Sequence, residues 1–108
     1  MTSRPGEIWL AEIFFTSGPA SKIRPILILW LDADDVVVAA ITSASPRSPT
    51  DISLADWKAA GLRVPSTIRL SRLDCLEQVV LRQKLGALSL NDAQRIKQNW
   101  TSQIRLQF

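Results

Sequence analysis

The chain has 108 residues, 46% of them apolar, and carries 13 cations against 10 anions for a net charge of +3. That length bounds it to one domain with one modest core, residues 1–108, and its apolar share is too high for disorder. No apolar run approaches the roughly 20 residues of a membrane span. Met1-Thr2-Ser3-Arg4-Pro5-Gly6 lacks the hydrophobic stretch of a signal peptide, and the single cysteine, Cys75, excludes an internal disulfide and fits a reducing cytoplasm.

Residues 7–15 alternate as a first strand, with Ile8 and Leu10 on one side and Trp9, Ala11 and Ile13 on the other. Ser17-Gly18-Pro19-Ala20-Ser21 is a cluster of turn formers and predicts a loop. Ile26 to Leu31 and Val36 to Ile41 are two short apolar runs split by Asp32-Ala33-Asp34-Asp35, which reads as an antiparallel hairpin. Prolines in Ser45-Pro46-Arg47-Ser48-Pro49 deny that stretch the ladder of a strand. Thr50 to Ser53 predicts a short edge strand. Ser53 with Asp56 three residues on resembles a capping box, and Gly61 is placed to end a short helix over Leu54 to Ala60. Thr67 to Leu73 alternates again, with Ile68 and Leu70 inward and Arg69 and Ser71 outward. One more strand is expected near Lys84 to Leu88. Ser89 caps a final helix with Asp92 in its first turn and a stripe of Leu90, Ala93, Ile96 and Trp100. Five or six short strands with a terminal helix imply a small, strongly bent sheet or a barrel; the pattern leaves its topology open.

The hairpin holds the most informative pairing. Arg24-Pro25 opens its first apolar run and Thr42-Ser43 closes its second. A turn centred on residue 33 sets Arg24 across from Thr42, on one side of the sheet. A turn centred half a residue later sets Arg24 against Ser43 and sends Thr42 to the other face. A guanidinium beside a hydroxyl suits a phosphate. Nine of the thirteen cations are arginine, and Arg63, Arg69, Arg72, Arg82 and Lys84 fall in one stretch; arginine grips phosphate in a bidentate fork. The chain has no histidine, so it offers neither an imidazole base nor an imidazole metal ligand. No cofactor or metal is expected.

Six blocks, in order, are similar to one family: Gly6-Glu7-Ile8-Trp9, Ser21 to Leu29 around Arg24-Pro25, Ala40-Ile41-Thr42-Ser43, Asp56 to Leu62, Pro65 to Leu70 and Lys84 to Ser89. They run from about residue 4 to about residue 100 and resemble the MazF/PemK-like toxins of type II toxin–antitoxin systems. The resemblance implies an α+β, mainly β fold: a small SH3-like barrel of five to seven short strands, with a short inserted helix and a C-terminal helix, forming a homodimer. It also implies a metal-independent, sequence-specific endoribonuclease that cuts single-stranded RNA, with a cognate antitoxin peptide occupying the RNA groove. Carried over by position, it implies catalytic roles for Arg24, Thr42 and Arg69. In relatives an aspartate follows the second arginine by two residues; here that position is Ser71.

The chemistry can be reasoned separately. RNA carries its own nucleophile, because the 2′-hydroxyl attacks the adjacent phosphodiester and leaves a cyclic phosphate and a 5′-hydroxyl. The protein must hold the oxygens in line and stabilise charge on the phosphoryl group. Arginine serves the second need well and proton abstraction badly, having almost no neutral form at neutral pH. Arg24 and Arg69 are therefore assigned chiefly to charge stabilisation, and Thr42 to a hydrogen bond on the scissile phosphate. Ser43, Lys22, Ser17, Gly18, Ser66 and Ser71 complete the expected substrate contacts.

Plainer readings stand beside these. Arg24 can be a strand-entry cation, Arg69 a surface charge, and Thr42 and Ser43 ordinary strand-end residues. Trp9, Trp30, Trp57 and Trp100 read as core or dimer contacts, Cys75 as a small buried filler, and Asp74 and Glu77 as solvated loop carboxylates. Two other functions fit the same fold: a non-catalytic module that binds RNA or protein, and a gyrase-inhibiting toxin. The second is disfavoured, because Ile104 to Phe108 lacks the tryptophan that such toxins resembling this fold carry near the chain end.

Overall fold

The structure is a computed structural model and describes residues 2–14 and 20–108, with the side chain of Phe14 outside that description. Six strands come in chain order, β1 (Glu7–Phe14), β2 (Ser21–Asp32), β3 (Asp35–Thr42), β4 (Asp51–Ser53), β5 (Thr67–Glu77) and β6 (Leu81–Ala87), followed by helix α1 (Leu90–Gln103). All pair antiparallel in one sheet of order β4-β5-β3-β2-β1-β6. Among the described residues β4 and β6 are its edges, so hydrogen bonding does not close the sheet into the expected barrel.

The alternation seen in the first strand separates two apolar clusters. Ile8, Leu27, Ala39, Ile41, Ile68 and Leu70 face α1 and the 54–62 segment. Trp9, Ala11, Ile26, Ile28, Val36 and Val38 pack on the other face with Leu81. A period of two in β1, β2 and β3 supplies both layers at once.

The hairpin resolves its register in an unexpected way. Its tip is Ala33-Asp34, centred half a residue beyond residue 33, because Asp32 pairs with Asp35; Ala33 takes a φ of 54° there. An irregularity between Ile28 and Trp30 then returns the ladder to Ile28↔Val38 and Ile26↔Ala40. Continued by two residues, that register sets Arg24 opposite Thr42. A shifted turn and one extra residue at Leu29 cancel.

Four expectations are corrected. No helix forms over Leu54 to Ala60; the segment is a run of turns closed by Ala60 N to Asp56 O and Leu62 N to Trp57 O, both 3.1 Å. The expected capping box is displaced as well: the Asp92 carboxylate takes the Ala55 and Asp56 amides at 3.0 and 2.8 Å, while Ser89 Oγ donates to Asp56 at 2.6 Å. Leu90 is exposed, not part of the packed stripe, and the buried first-turn residue is Asp92, only 1% exposed. Cys75 is exposed, because β5 passes beyond the covered part of the sheet before reaching it. The last strand, β6, starts at Leu81, earlier than expected. The cap itself stands as read, with Ser89 Oγ accepting from Asp92 N at 3.1 Å.

Asp92 thus staples the helix to the turns beside the sheet. Burial opposes its ionisation, but the two amides and Arg95 outweigh it and hold its pKa below the ordinary value. A depressed carboxylate stabilises the fold above its unfolded pKa of about 3.9 and loses that contribution as pH falls through the folded value. Asp92→Ala is expected to cost about 3 kcal/mol at neutral pH, since hydrogen bonds to a buried charge are worth about 1.5–3 kcal/mol each. Urea titrations at pH 7 and pH 3 check this: the gap between parent and variant narrows at the lower pH.

Candidate nucleic-acid interface

A groove of about 960 Å³ opens where β2 begins and β3 ends. Its floor comes from the second apolar face. Reading the ladders across, Arg24, Ile26, Val38, Ala40, Thr42 and Asp74 share that face, contributed by β2, β3 and β5, and all six line the groove. Leu62, Val64 and Leu85 form an apolar lip. Its charged lining residues are Arg24, Arg63, Arg72 and Asp74, three cations to one anion.

Arg24 is exposed and makes no hydrogen bond or ion pair with the described residues, so its donors are available. Thr42 Oγ1 accepts from the Ala44 amide at 3.1 Å. A hydroxyl has one donor and two acceptor sites, so this contact orients the oxygen and leaves its proton to donate. Ser43 is exposed beside it on the groove wall. Ser66 also lines the groove, but it is buried and its hydroxyl is spent on Val64 O at 2.8 Å. Lys22 is exposed on β2 outside the groove lining, and Ser71 is exposed in a bulge, also outside it. Ser17 and Gly18 lie outside the described residues.

Arg69 sits differently from its expected place. Its ladder partner Ala40 puts it on the groove face of the sheet, yet it is only 9% exposed and does not line the groove. Across β4–β5 it faces Asp51, whose carboxylate lies 4.0 Å from its Nε and also accepts the Arg47 amide at 3.0 Å. Opposite charges on facing positions attract, and the guanidinium is drawn toward the sheet edge. Its Nε has no hydrogen-bond partner among the described residues.

In its stead the groove receives Arg72. Between neighbouring β3 residues the ladder jumps from Ala39↔Leu73 to Ala40↔Arg69, so Leu70, Ser71 and Arg72 have no ladder partners on β3. Such a bulge re-aims side chains. Leu70 turns into the core, Ser71 to solvent, and Arg72 to the groove. Asp74 follows on the strand, not in a solvated loop, with Oδ1 accepting the Cys75 amide at 2.9 Å. Period-two reading missed both, because a bulge resets the alternation. One cue was present: Arg72-Leu73-Asp74 carries the arginine-plus-two aspartate spacing that Arg69-Leu70-Ser71 lacks.

Around the groove the strands are clamped by buried or shielded carboxylates. Glu7 Oε1 takes the Trp9 indole at 3.0 Å and the Arg4 amide at 2.8 Å, and Oε2 pairs with Lys84 at 2.8 Å. Burial raises its pKa, but these donors more than offset it and leave it below the ordinary value. Glu12 is held low by Arg82, then by Ser21 Oγ, tying β1 to β6 and β2. Among the described residues no group of three or more His, Cys, Asp or Glu side chains is placed to hold a metal, and no helix is long and apolar enough to cross a membrane.

Of the tryptophans, Trp9 is core, Trp57 packs half-buried on the helix-side cluster, and Trp30 meets Trp100 edge-on at 5.9 Å between ring centres. None of the four lines the groove.

The model of the PemK-like, MazF-like toxins of type II toxin–antitoxin systems matches residues 4–103. No curated protein matches the sequence. Solved structures share the fold at low identity. An endoribonuclease from a mycobacterial species, in complex with its cognate antitoxin, is 17% identical with a TM-score of 0.73, over 94% of this chain and 93% of that one. The Mycobacterium tuberculosis toxin MazF-mt6 is 21% identical with a TM-score of 0.71, over 86% and 90%. A MazF from Deinococcus radiodurans is 18% identical with a TM-score of 0.67, over 94% and 96%.

Proposed function

Because this chain belongs to the PemK-like, MazF-like toxins of type II toxin–antitoxin systems, we propose that it is a cytoplasmic, metal-independent endoribonuclease that cuts single-stranded RNA at short sequences and so arrests translation. The observation that carries this reading is the shared end of the groove: the β2–β3 register, continued two residues past Ile26↔Ala40, brings a guanidinium without a partner among the described residues and an oriented hydroxyl to one face. Arg24 stabilises charge on the phosphoryl oxygens as the 2′-hydroxyl attacks. Thr42 donates to the same phosphate, with Ser43 beside it. Arg72, not Arg69, is the second groove cation. Arg69 supports the floor from its buried pairing with Asp51.

The products are a cyclic phosphate and a 5′-hydroxyl, since no water enters the cleavage step. The bent sheet is the SH3-like scaffold of the family, and the protein works as a homodimer restrained by an antitoxin whose peptide fills the groove. An apolar lip beside three arginines suits an acidic, amphipathic segment as well as RNA.

The test is cleavage of a long single-stranded RNA in EDTA by parent and Arg24→Ala, with both ends of each cut mapped. Discrete cuts ending in cyclic phosphate, lost in the variant, support the reading. Intact RNA that the folded parent nonetheless binds makes the chain a binding module. In the same assay Arg72→Ala is expected to lower kcat/KM about tenfold to a hundredfold, and Arg69→Lys less than that. An Arg69 effect exceeding the Arg72 effect at equal stability would reverse their roles.

A further inference from the structure

The ribonuclease reading leaves the groove's carboxylate without a task. Asp74 is the anion among the charged groove residues, whose others are Arg24, Arg63 and Arg72. A carboxylate repels phosphate, so what it meets in RNA must be a hydrogen-bond donor. The register decides which part of the RNA that is. Asp74 faces Val38 on β3, and Thr42 lies four residues farther along the same strand. The bulge belongs to β5, so β3 keeps a regular rise between those two positions. Four such steps span about 13 Å. Threonine and aspartate are both short side chains. Asp74 therefore stands too far from Thr42 to take the proton of the 2′-hydroxyl next to a phosphate that Thr42 holds.

We propose that Asp74 reads a nucleobase away from the cut, and that this base is guanine; the proposal rests on the ribonuclease reading of the same groove. Bases of single-stranded RNA are read on their Watson–Crick edges. Guanine alone presents two adjacent donors there, N1–H and N2–H, which match the two oxygens of a carboxylate. Adenine and cytosine each present one amino donor beside an unprotonated ring nitrogen, which a carboxylate repels. Uracil presents one donor between two carbonyls. The Cys75 amide fixes the Asp74 carboxylate through Oδ1 at 2.9 Å, and lone pairs remain on both oxygens for the base. Arg72, two residues earlier in the same groove, is placed to hold a phosphate flanking that base. Asp74 is thus a specificity-determining residue, with cleavage left to the Arg24 end.

A randomised single-stranded RNA pool, cut by the parent and by Asp74→Asn and read by mapping every cut site, tests this. The parent is expected to enrich guanine at one fixed offset from the cut. Asparagine offers one acceptor and one donor, so Asp74→Asn is expected to reduce that preference by about tenfold or more while cuts at other sequences persist. In a defined oligonucleotide cut by the parent, inosine for that guanine removes the N2 amino group and is expected to slow cutting by about tenfold. Parent cuts without guanine at any fixed offset overturn the proposal, whatever the variant does. A uniform loss of cutting in Asp74→Asn with unchanged guanine preference overturns it too, because a catalytic or structural carboxylate behaves that way. Intact RNA with the parent removes the ribonuclease reading itself, and this inference with it.

Discussion

Arg24→Ala is expected to reduce RNA cleavage by about 10²–10³-fold, the range seen when one donor to a developing oxyanion is removed, with the unfolding midpoint nearly unchanged. Both halves follow from the same observation. Arg24 is exposed and has no partner among the described residues, so its removal leaves no buried group unsatisfied. Arg24→Lys separates charge from geometry. Lysine keeps the positive charge but loses the planar fork, so RNA binding should persist with its salt dependence while most cleavage is lost. Single-turnover cleavage and a filter-binding titration on the same RNA measure the two quantities. Full cleavage by Arg24→Ala would remove the Arg24–Thr42 end of the groove from the chemistry.

The second large effect is on folding. Gly61→Ala is expected to destabilise the protein by about 2–5 kcal/mol, combining an overpacking cost of about 1–3 kcal/mol with about 1–2 kcal/mol for a left-handed residue bearing a Cβ. Gly61 has a φ of 92°, and a Cβ there would fall 2.1 Å from the Leu85 carbonyl oxygen and 2.6 Å from its carbon. Those are backbone atoms of β6, so no rotamer change relieves them. The contact is reciprocal, since a Cβ on Gly86 would lie 2.3 Å from Ala60 O. The two glycines let the 55–61 turns rest against β6, and Gly61, Leu62 and Leu85 then line the groove. Gly6→Ala is the control: its φ is 89°, but a Cβ there meets nothing within 4 Å, so only the smaller conformational cost of about 1–2 kcal/mol applies. Urea denaturation of the three proteins ranks them. Equal losses for Gly61→Ala and Gly6→Ala would mean that the turn moves away from β6 without cost.

Much of the fold was legible because it is local. The capping serine at 89 reads directly, since a cap depends on residues within one turn. The two faces of β1 read from alternation alone. The capping box at Ser53 was misread for the opposite reason. Ser53 and Asp56 have the right spacing for a capping box, but the amides of 55 and 56 were claimed by Asp92, more than thirty residues away. Arg69 and Arg72 are the sharpest case. Both are arginines on one strand, three residues apart. Their fates differ because one faces Asp51 across the sheet and the other is turned into the groove by a bulge.

The sequence by itself determined the family, the alternation of the first strands, the cap of the last helix and the absence of histidine. It narrowed the Arg24–Thr42 pairing to two registers without choosing between them. Tertiary structure set the register at Ile26↔Ala40, through an extra residue at Leu29 that offsets the turn, and that register continued two residues favours Arg24 against Thr42. It also decided which cations line the groove and where Asp74 stands relative to Thr42. The physical reason is common to all three. Side-chain direction in a sheet is a parity, and one inserted residue reverses it. Composition and spacing carry no trace of where a ladder slips, because the slip is set by which distant strand supplies the partner.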